Sequence, residues 1–163
     1  MGSLDVLIER VLDREGGIAD VGDGKGVTRF GQTPAWLEQF SLPVPTTRDE
    51  AAANYRLWIE KTGLQTVVVA GDDLADIVLD IAVMSSAPKA IKALQTALHV
   101  PVDGVLGGQT YDALAAVDRK RLAREVIAWD MIYQGSLITL DPSRAKWAKG
   151  WAARIAEHVR RLT

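Results

Sequence analysis

Glu15, Asp23 and Thr28 are the side chains of this sequence whose types and spacing suit chemistry. Glu15 stands directly before Gly16-Gly17, and the other two follow within a stretch rich in glycine and aspartate. A carboxyl at a helix end is rigidly held, and a glycine-rich hairpin beside it leaves a cleft for it to face. Hydrolysis of a glycosidic bond with inversion needs a proton donor at the leaving oxygen and a second group that activates water on the opposite face. Asp23 and Thr28 lie where their side chains turn back toward Glu15 and hold a water, the hydroxyl orienting it and the carboxylate accepting its proton. Taken singly, each residue has a plainer reading: a solvated helix end, turn chemistry, a strand threonine. The combination favours catalysis. An acid that keeps its proton near neutral pH needs apolar surroundings, for which Phe30 and Ile18 are the candidates. Whether the stereochemistry is inverting or retaining depends on the carboxylate separation and stays open, although a water held by Thr28 favours inversion.

The elements that must position these groups are mostly helical. Leu4, Leu7, Ile8, Val11 and Leu12 recur at helical spacing behind Ser3 as N-cap, and Gly16-Gly17 end that helix at Glu15. Residues 16–31 hold six of the 14 glycines, which predicts a loop with a small β-hairpin. Pro34 opens a short helix through Phe40. Thr47 and Glu50 form a capping box for a helix to about Lys61, stopped by Gly63. An apolar helix covers about 72–84, and Ser86 with Pro88 starts another that carries Ile91, Leu94, Gln95 and Leu98. A turn-rich segment, Val102 to Gly108, precedes a short helix, a long one over about 118–134 and a last one from Ser143. In that last helix Trp147, Trp151, Ile155, Val159 and Leu162 fall on one stripe that reads as core.

The segment Glu15-Gly16-Gly17, followed by Asp23-Gly24-Lys25-Gly26-Val27-Thr28-Arg29-Phe30-Gly31-Gln32-Thr33, resembles the glycoside hydrolase family 108 pattern E-G-G-Y-x-N-D-P-x-D-x-G-G-x-T-x-Y-G-I-T. The resemblance implies a lysozyme-like fold and N-acetylmuramidase activity, with Glu15, Asp23 and Thr28 matching the catalytic Glu, Asp/Cys, Thr arrangement of phage-type lysozymes. The sequence departs from the pattern at Ile18, which replaces tyrosine, at Gln32, which replaces isoleucine, and in a stretch one residue shorter before Asp23. Glycan chains lie across aromatic rings and polar side chains, so Trp36, Tyr55 and Trp58 are candidate platforms, with Phe30 beside them. Arg29 is a candidate partner for a cleft carboxylate or for the lactyl and peptide groups of the substrate.

A second signature covers the rest of the chain. Leu94-Gln95-Thr96-Ala97-Leu98, then Val102-Asp103-Gly104-Val105-Leu106-Gly107, Thr110 and Ala113-Leu114, resemble the "LQ-x-x-L … V-D-G-x-x-G-x-x-T-x-x-A-L" signature of helical peptidoglycan-binding modules. Leu79 to Val83 and Lys149 to Arg154 resemble further family segments. Physically, Asp103-Gly104 supplies a tight turn, Gly107 is expected at a backbone angle other residues avoid, and Thr110 is expected to cap the next helix. The expected organisation is a catalytic region at 1–84 and a helical binding region at 85–163, packed as one globule.

The totals narrow the alternatives. The chain of 163 residues has no cysteine, which excludes disulfides, a thiol nucleophile and cysteine-ligated metal, and His99 and His158 do not form a zinc motif. No metal or cofactor is expected. Residues 1–80 carry 14 acidic and 7 basic side chains, and residues 81–163 carry 7 and 12, so the second half suits an anionic partner such as cell-wall polymer. A nucleic-acid-binding motif and a membrane-spanning run are not found, and a monomer is expected. The first helix is too often interrupted by charge for a secretory signal, so synthesis in the cytoplasm with holin-type or other assisted export to the cell wall is expected. Two rivals remain: a non-catalytic wall-binding protein that keeps the fold, and a wall amidase or peptidase.

Overall fold

The protein, described for residues 3–19 and 26–163 by a computed structural model, is mainly α-helical with one small antiparallel hairpin, as the sequence predicts. It divides into two compact units, Met1–Gly71 and Asp72–Thr163. That division falls one helix earlier than the 84/85 boundary expected above.

The first unit contains α1 (Ser3–Glu15), β1 (Ile18–Ala19), β2 (Thr28–Arg29), α2 (Pro34–Phe40), α3 (Arg48–Lys61) and α4 (Gln65–Val68). The helical stripe of α1 buries Leu7, Ile8, Val11 and Leu12, each stabilising the fold by about 1.5–3 kcal/mol. α1 packs along α3. Ion pairs from α3 to α1 set their register: Arg48 reaches Glu9 at 2.7 Å and Asp13 at 2.6 Å, and Arg56 reaches Asp5 at 2.8 Å. These pairs are substantially exposed, so each contributes about 0–1 kcal/mol and their value is positional. Ser3 is not the N-cap expected of it. It lies within α1, and its hydroxyl donates to the Val69 carbonyl at 2.9 Å, which ties the start of α1 to the segment after α4. The predicted capping box of α3 is present, with Thr47 accepting from the Glu50 N–H and the Glu50 carboxylate accepting from Thr47.

The second unit contains α5 (Asp73–Met84), α6 (Ala87–Leu98), α7 (Gly108–Ala116), α8 (Arg119–Leu140), a 3₁₀ segment (Pro142–Trp147) and α9 (Ala148–Arg161). α5 is buried continuously from Leu74 to Ala82, and α6, α8 and α9 pack on it. Burial all round explains why its sequence is apolar all round. Two exceptions, Asp76 and Asp80, stand one turn apart and are buried too. Their partners come from α9. Arg154 donates to Asp80 at 3.0 Å, His158 Nε2 lies 3.0 Å from the other Asp80 oxygen, and Arg161 donates to Asp76 at 2.9 Å.

This corrects the reading of the last helix. Buried carboxylates demand partners, and satisfying Asp76 and Asp80 turns the Arg154–His158–Arg161 face of α9 inward. The apolar stripe is consequently not core: Trp147 is 53% exposed and Val159 45%, Trp151 and Ile155 are half-buried, and Leu162 alone of the five is buried.

The second signature is also resolved in structural terms. Gln95 is buried, and its Nε2 donates to Asp103 Oδ1 at 2.7 Å and to the Val105 carbonyl at 2.9 Å, with Thr110 Oγ1 at 3.3 Å. Its Oε1 accepts from the Gly104 N–H at 2.8 Å. The motif residues therefore satisfy one another and clamp the turn onto α6. Two expectations change. Thr110 lies inside α7 rather than capping it, and Gly107 has an ordinary extended conformation (φ −130°), while Gly104 takes the left-handed one (φ +80°).

Asp130 on α8 lies close to Asp80 and its partners. Burial, reinforced by the charge of Asp80 and partly offset by His158 and Arg154, pushes its carboxyl up to about 6. The folded protein thus holds this proton more tightly than the unfolded chain, and stability falls as pH rises from about 4 to about 6. Asp130→Asn accepts the hydrogen bond from Gln134 Nε2, 2.6 Å in the wild type, without the charge. It is expected to be more stable than wild type above pH 6 by about 1–3 kcal/mol, with the gap closing near pH 4. Denaturant melts at the two pH values measure this.

Candidate active site

The end of α1 and the hairpin are joined with almost no slack. Gly16 leaves the helix in the left-handed conformation (φ +74°), with its N–H on the Leu12 carbonyl at 3.1 Å. The next residue already belongs to the hairpin, since the Gly17 carbonyl accepts from the Phe30 N–H at 2.9 Å. The register continues as Ile18 opposite Arg29 and Ala19 opposite Thr28. Wherever the hairpin goes, Glu15 is fixed relative to it.

The hairpin leads into a tight turn at Arg29–Gln32. Arg29 and Gln32 exchange both backbone hydrogen bonds, at 3.0 and 2.9 Å, and the two residues between them have positive φ, 53° for Phe30 and 80° for Gly31. Positive φ at both central positions is the mark of a type I′ turn. Glycine accepts it freely, whereas at Phe30 it costs about 1–2 kcal/mol. The surroundings hold the strained turn in place. The Tyr55 hydroxyl donates to the Phe30 carbonyl at 2.9 Å. Gln32 is fully buried, donates to the Ala51 carbonyl at 2.9 Å and accepts from Asn54 Nδ2 at 2.8 Å, and Asn54 also donates to the Pro43 carbonyl.

The turn is pressed against Glu15. A Cβ on Gly31 would lie 2.7 Å from Glu15 Cγ, 2.9 Å from Glu15 Cβ and 2.8 Å from the Tyr55 hydroxyl oxygen. Glu15 and the Tyr55 hydroxyl therefore flank one bare patch of backbone. Glu15 itself is half-buried. A carboxyl with one side packed on a rigid turn and the other side accessible is placed to transfer a proton to something that approaches from solvent.

The other expected residues separate into groups. Thr28 and Arg29 are both half-buried on β2, and as neighbours on a strand they point to opposite faces, so they do not serve the same face of the hairpin. Asp23 lies outside the described residues. Phe30 takes part through its strained backbone and half-buried ring, whereas Ile18 is 51% exposed and gives Glu15 little apolar cover. Trp36, Phe40, Tyr55 and Trp58 form one aromatic cluster, with Trp36 centred 5.5 Å from Phe40, 5.7 Å from Tyr55 and 5.6 Å from Trp58. Tyr55 and Trp58 are buried, so their ring faces are taken up by packing and neither is an open platform for a sugar. Trp36 keeps part of its surface accessible.

Reading the sequence did not single out Gln32, Asn54 or Gly31. A signal was present for two of them. Asn54 shares a helical face with Ala51, Tyr55 and Trp58, and Gln32 is polar where the resembled pattern has isoleucine; two misplaced amides suggest each other as partners.

Among solved structures, the chain is similar to Brucella abortus SagA, with 26% sequence identity and a TM-score of 0.74 over 98% of this chain and 92% of that one. No protein-family model matches the chain, and no curated protein matches it. The likeness to SagA spans residues of both units. Among the described residues there is no cluster suited to a metal ion, and no helix is long and apolar enough to cross a membrane.

Proposed function

We propose that the chain is a peptidoglycan hydrolase of the N-acetylmuramidase type, cleaving the β-1,4 bond between N-acetylmuramic acid and N-acetylglucosamine. The observation that carries this reading is the fixing of Glu15 against Gly31 and the Tyr55 hydroxyl by a strained, doubly anchored turn. Backbone strain held in place by buried hydrogen bonds is characteristic of sites whose geometry matters more than their stability. Glu15 donates its proton to the leaving glycosidic oxygen. A water oriented by Thr28 attacks the anomeric carbon from the opposite face and gives up its proton to Asp23. Trp36 offers the accessible aromatic surface near the turn, whereas Arg29, on the opposite face of β2 from Thr28, takes no part at the cleaved bond. The sequence resemblance around Glu15–Thr33 and the whole-chain likeness to SagA support the reading together. The stretch 81–163, with its 12 basic and 7 acidic side chains, keeps the enzyme on the anionic wall, which it reaches by assisted export.

Digestion of purified peptidoglycan tests the proposal. Mass spectrometry is expected to find new reducing muramic acid ends; free stem peptides in their place would indicate an amidase or peptidase, and an unchanged wall a binding protein. Proton NMR of the first product is expected to show the α-anomer. A β-anomer would remove the water-holding role from Thr28.

A further inference from the structure

The stripe of α9 that the buried carboxylates turn outward forms one wall of a groove. The other wall is the C-terminal half of α8. Met131 and Ile138 of α8 face Trp151, Ile155 and Val159 of α9 across a space of about 540 Å³ that is almost wholly apolar. Gly135 contributes no side chain to the α8 wall. Within the groove itself Met131 is 55% exposed and Val159 45%. An exposed apolar groove of this kind marks a place where something binds.

The charges around it identify the occupant. The segment from Pro142 to Thr163 carries six basic side chains and one acidic one. Arg154 and Arg161 are spent on Asp80 and Asp76, and Arg144 pairs with Asp141. Lys146, Lys149 and Arg160 make no ion pair among the described residues; Lys149 and Arg160 are exposed, and Lys146 sits 5.2 Å from the Trp147 ring centre. Apolar side chains, a half-exposed tryptophan and flanking cations are the components that settle at a lipid–water boundary, the rings at headgroup depth and the cations among anionic headgroups. A second copy of the chain fits less well. A two-fold interface would set this basic rim against itself. A glycan strand fits less well again, because the groove offers it almost no polar partners.

We infer that the α8–α9 groove is a peripheral docking surface for anionic phospholipid membranes, separate from the site around Glu15. The apolar stripe inserts to headgroup depth while Lys146, Lys149 and Arg160 contact the headgroups.

Co-sedimentation of the full chain with vesicles of phosphatidylcholine, with and without phosphatidylglycerol, tests this. Binding is expected on phosphatidylglycerol vesicles at least about tenfold above phosphatidylcholine alone, and it is expected to be largely lost at about 0.5 M salt. Lys146→Glu with Lys149→Glu should lower it by about tenfold or more. Met131→Ser with Val159→Ser, both in the groove, should lower it similarly at unchanged charge. Both pairs are exposed, and their thermal melts should match wild type. Equal binding to the two vesicle types, or no binding, overturns the inference. So does a wild-type dimer in light scattering that Met131→Ser with Val159→Ser converts to monomer, which would assign the groove to a second copy.

Discussion

Glu15→Gln is expected to reduce release of muramic acid reducing ends by about a thousandfold or more while leaving the fold intact. The substitution keeps the shape of the side chain and its packing on Gly31 but removes the proton that the leaving oxygen requires. General acid catalysis contributes about 10²- to 10⁴-fold in enzymes that use it. Loss of the acid against a poor leaving group belongs at the upper end. Stability should change by about 0.5 kcal/mol or less, because the side chain is half-buried and its apolar contacts are retained. Turnover of purified peptidoglycan, alongside a melt and a wall pull-down, separates the outcomes. Retained clearing by Glu15→Gln would leave Glu15 as an ordinary helix end.

Gly31→Ala is expected to damage the same activity from the other side. The new methyl would stand 2.7 Å from Glu15 Cγ and 2.8 Å from the Tyr55 hydroxyl, at a φ of +80° that alanine rarely adopts. Something must move, and the flexible member is Glu15. A displacement of about 1 Å at a catalytic group costs on the order of 10²-fold in rate. The backbone strain should cost about 1–3 kcal/mol of stability. Gly63→Ala separates the two effects. Gly63 has a similar φ of +74°, and a Cβ there meets nothing within 4 Å. It should lose stability through the backbone alone and keep its activity. If Gly63→Ala loses as much activity as Gly31→Ala, general destabilisation explains both, and the contact with Glu15 has no special role.

Elements whose causes are local were legible in the sequence. The end of α1 at Gly16, the proline start of α2, the capping box of α3 and the serine cap of α6 each rest on residues within four positions of one another. Readings that depended on a distant partner were the ones that changed. The stripe on α9 has helical spacing and reads as core, yet the side of a helix that turns inward is chosen by what it meets. Here it meets Asp76 and Asp80 on α5, about 80 residues away in sequence. Thr110 was misplaced as a cap for the same reason, since Gln95 claims it. At the site, Glu15 was visible because Gly16-Gly17 follow it, and the hairpin because of its glycines. The left-handed Phe30 was not visible. No local rule puts an aromatic residue at positive φ; the tyrosine and the two amides that hold it there come from α3 and from beyond the turn.

The Gln32–Asn54 pair makes the hairpin after α1 a poor candidate for transplantation. A hairpin grafted from a chain with isoleucine at this position would take away the donor to Ala51 and the acceptor for Asn54 together, in a site with no water-accessible surface at Gln32. Each orphaned buried group costs about 1–3 kcal/mol, so the two together take a large share of the roughly 5–15 kcal/mol that keeps an ordinary domain folded. Exchanging position 54 in the same step, for a side chain that fills the space without polar atoms, would remove part of that cost. Chimeras that exchange the hairpin therefore need their crossover points outside both residues, so that hairpin and α3 travel as one cassette.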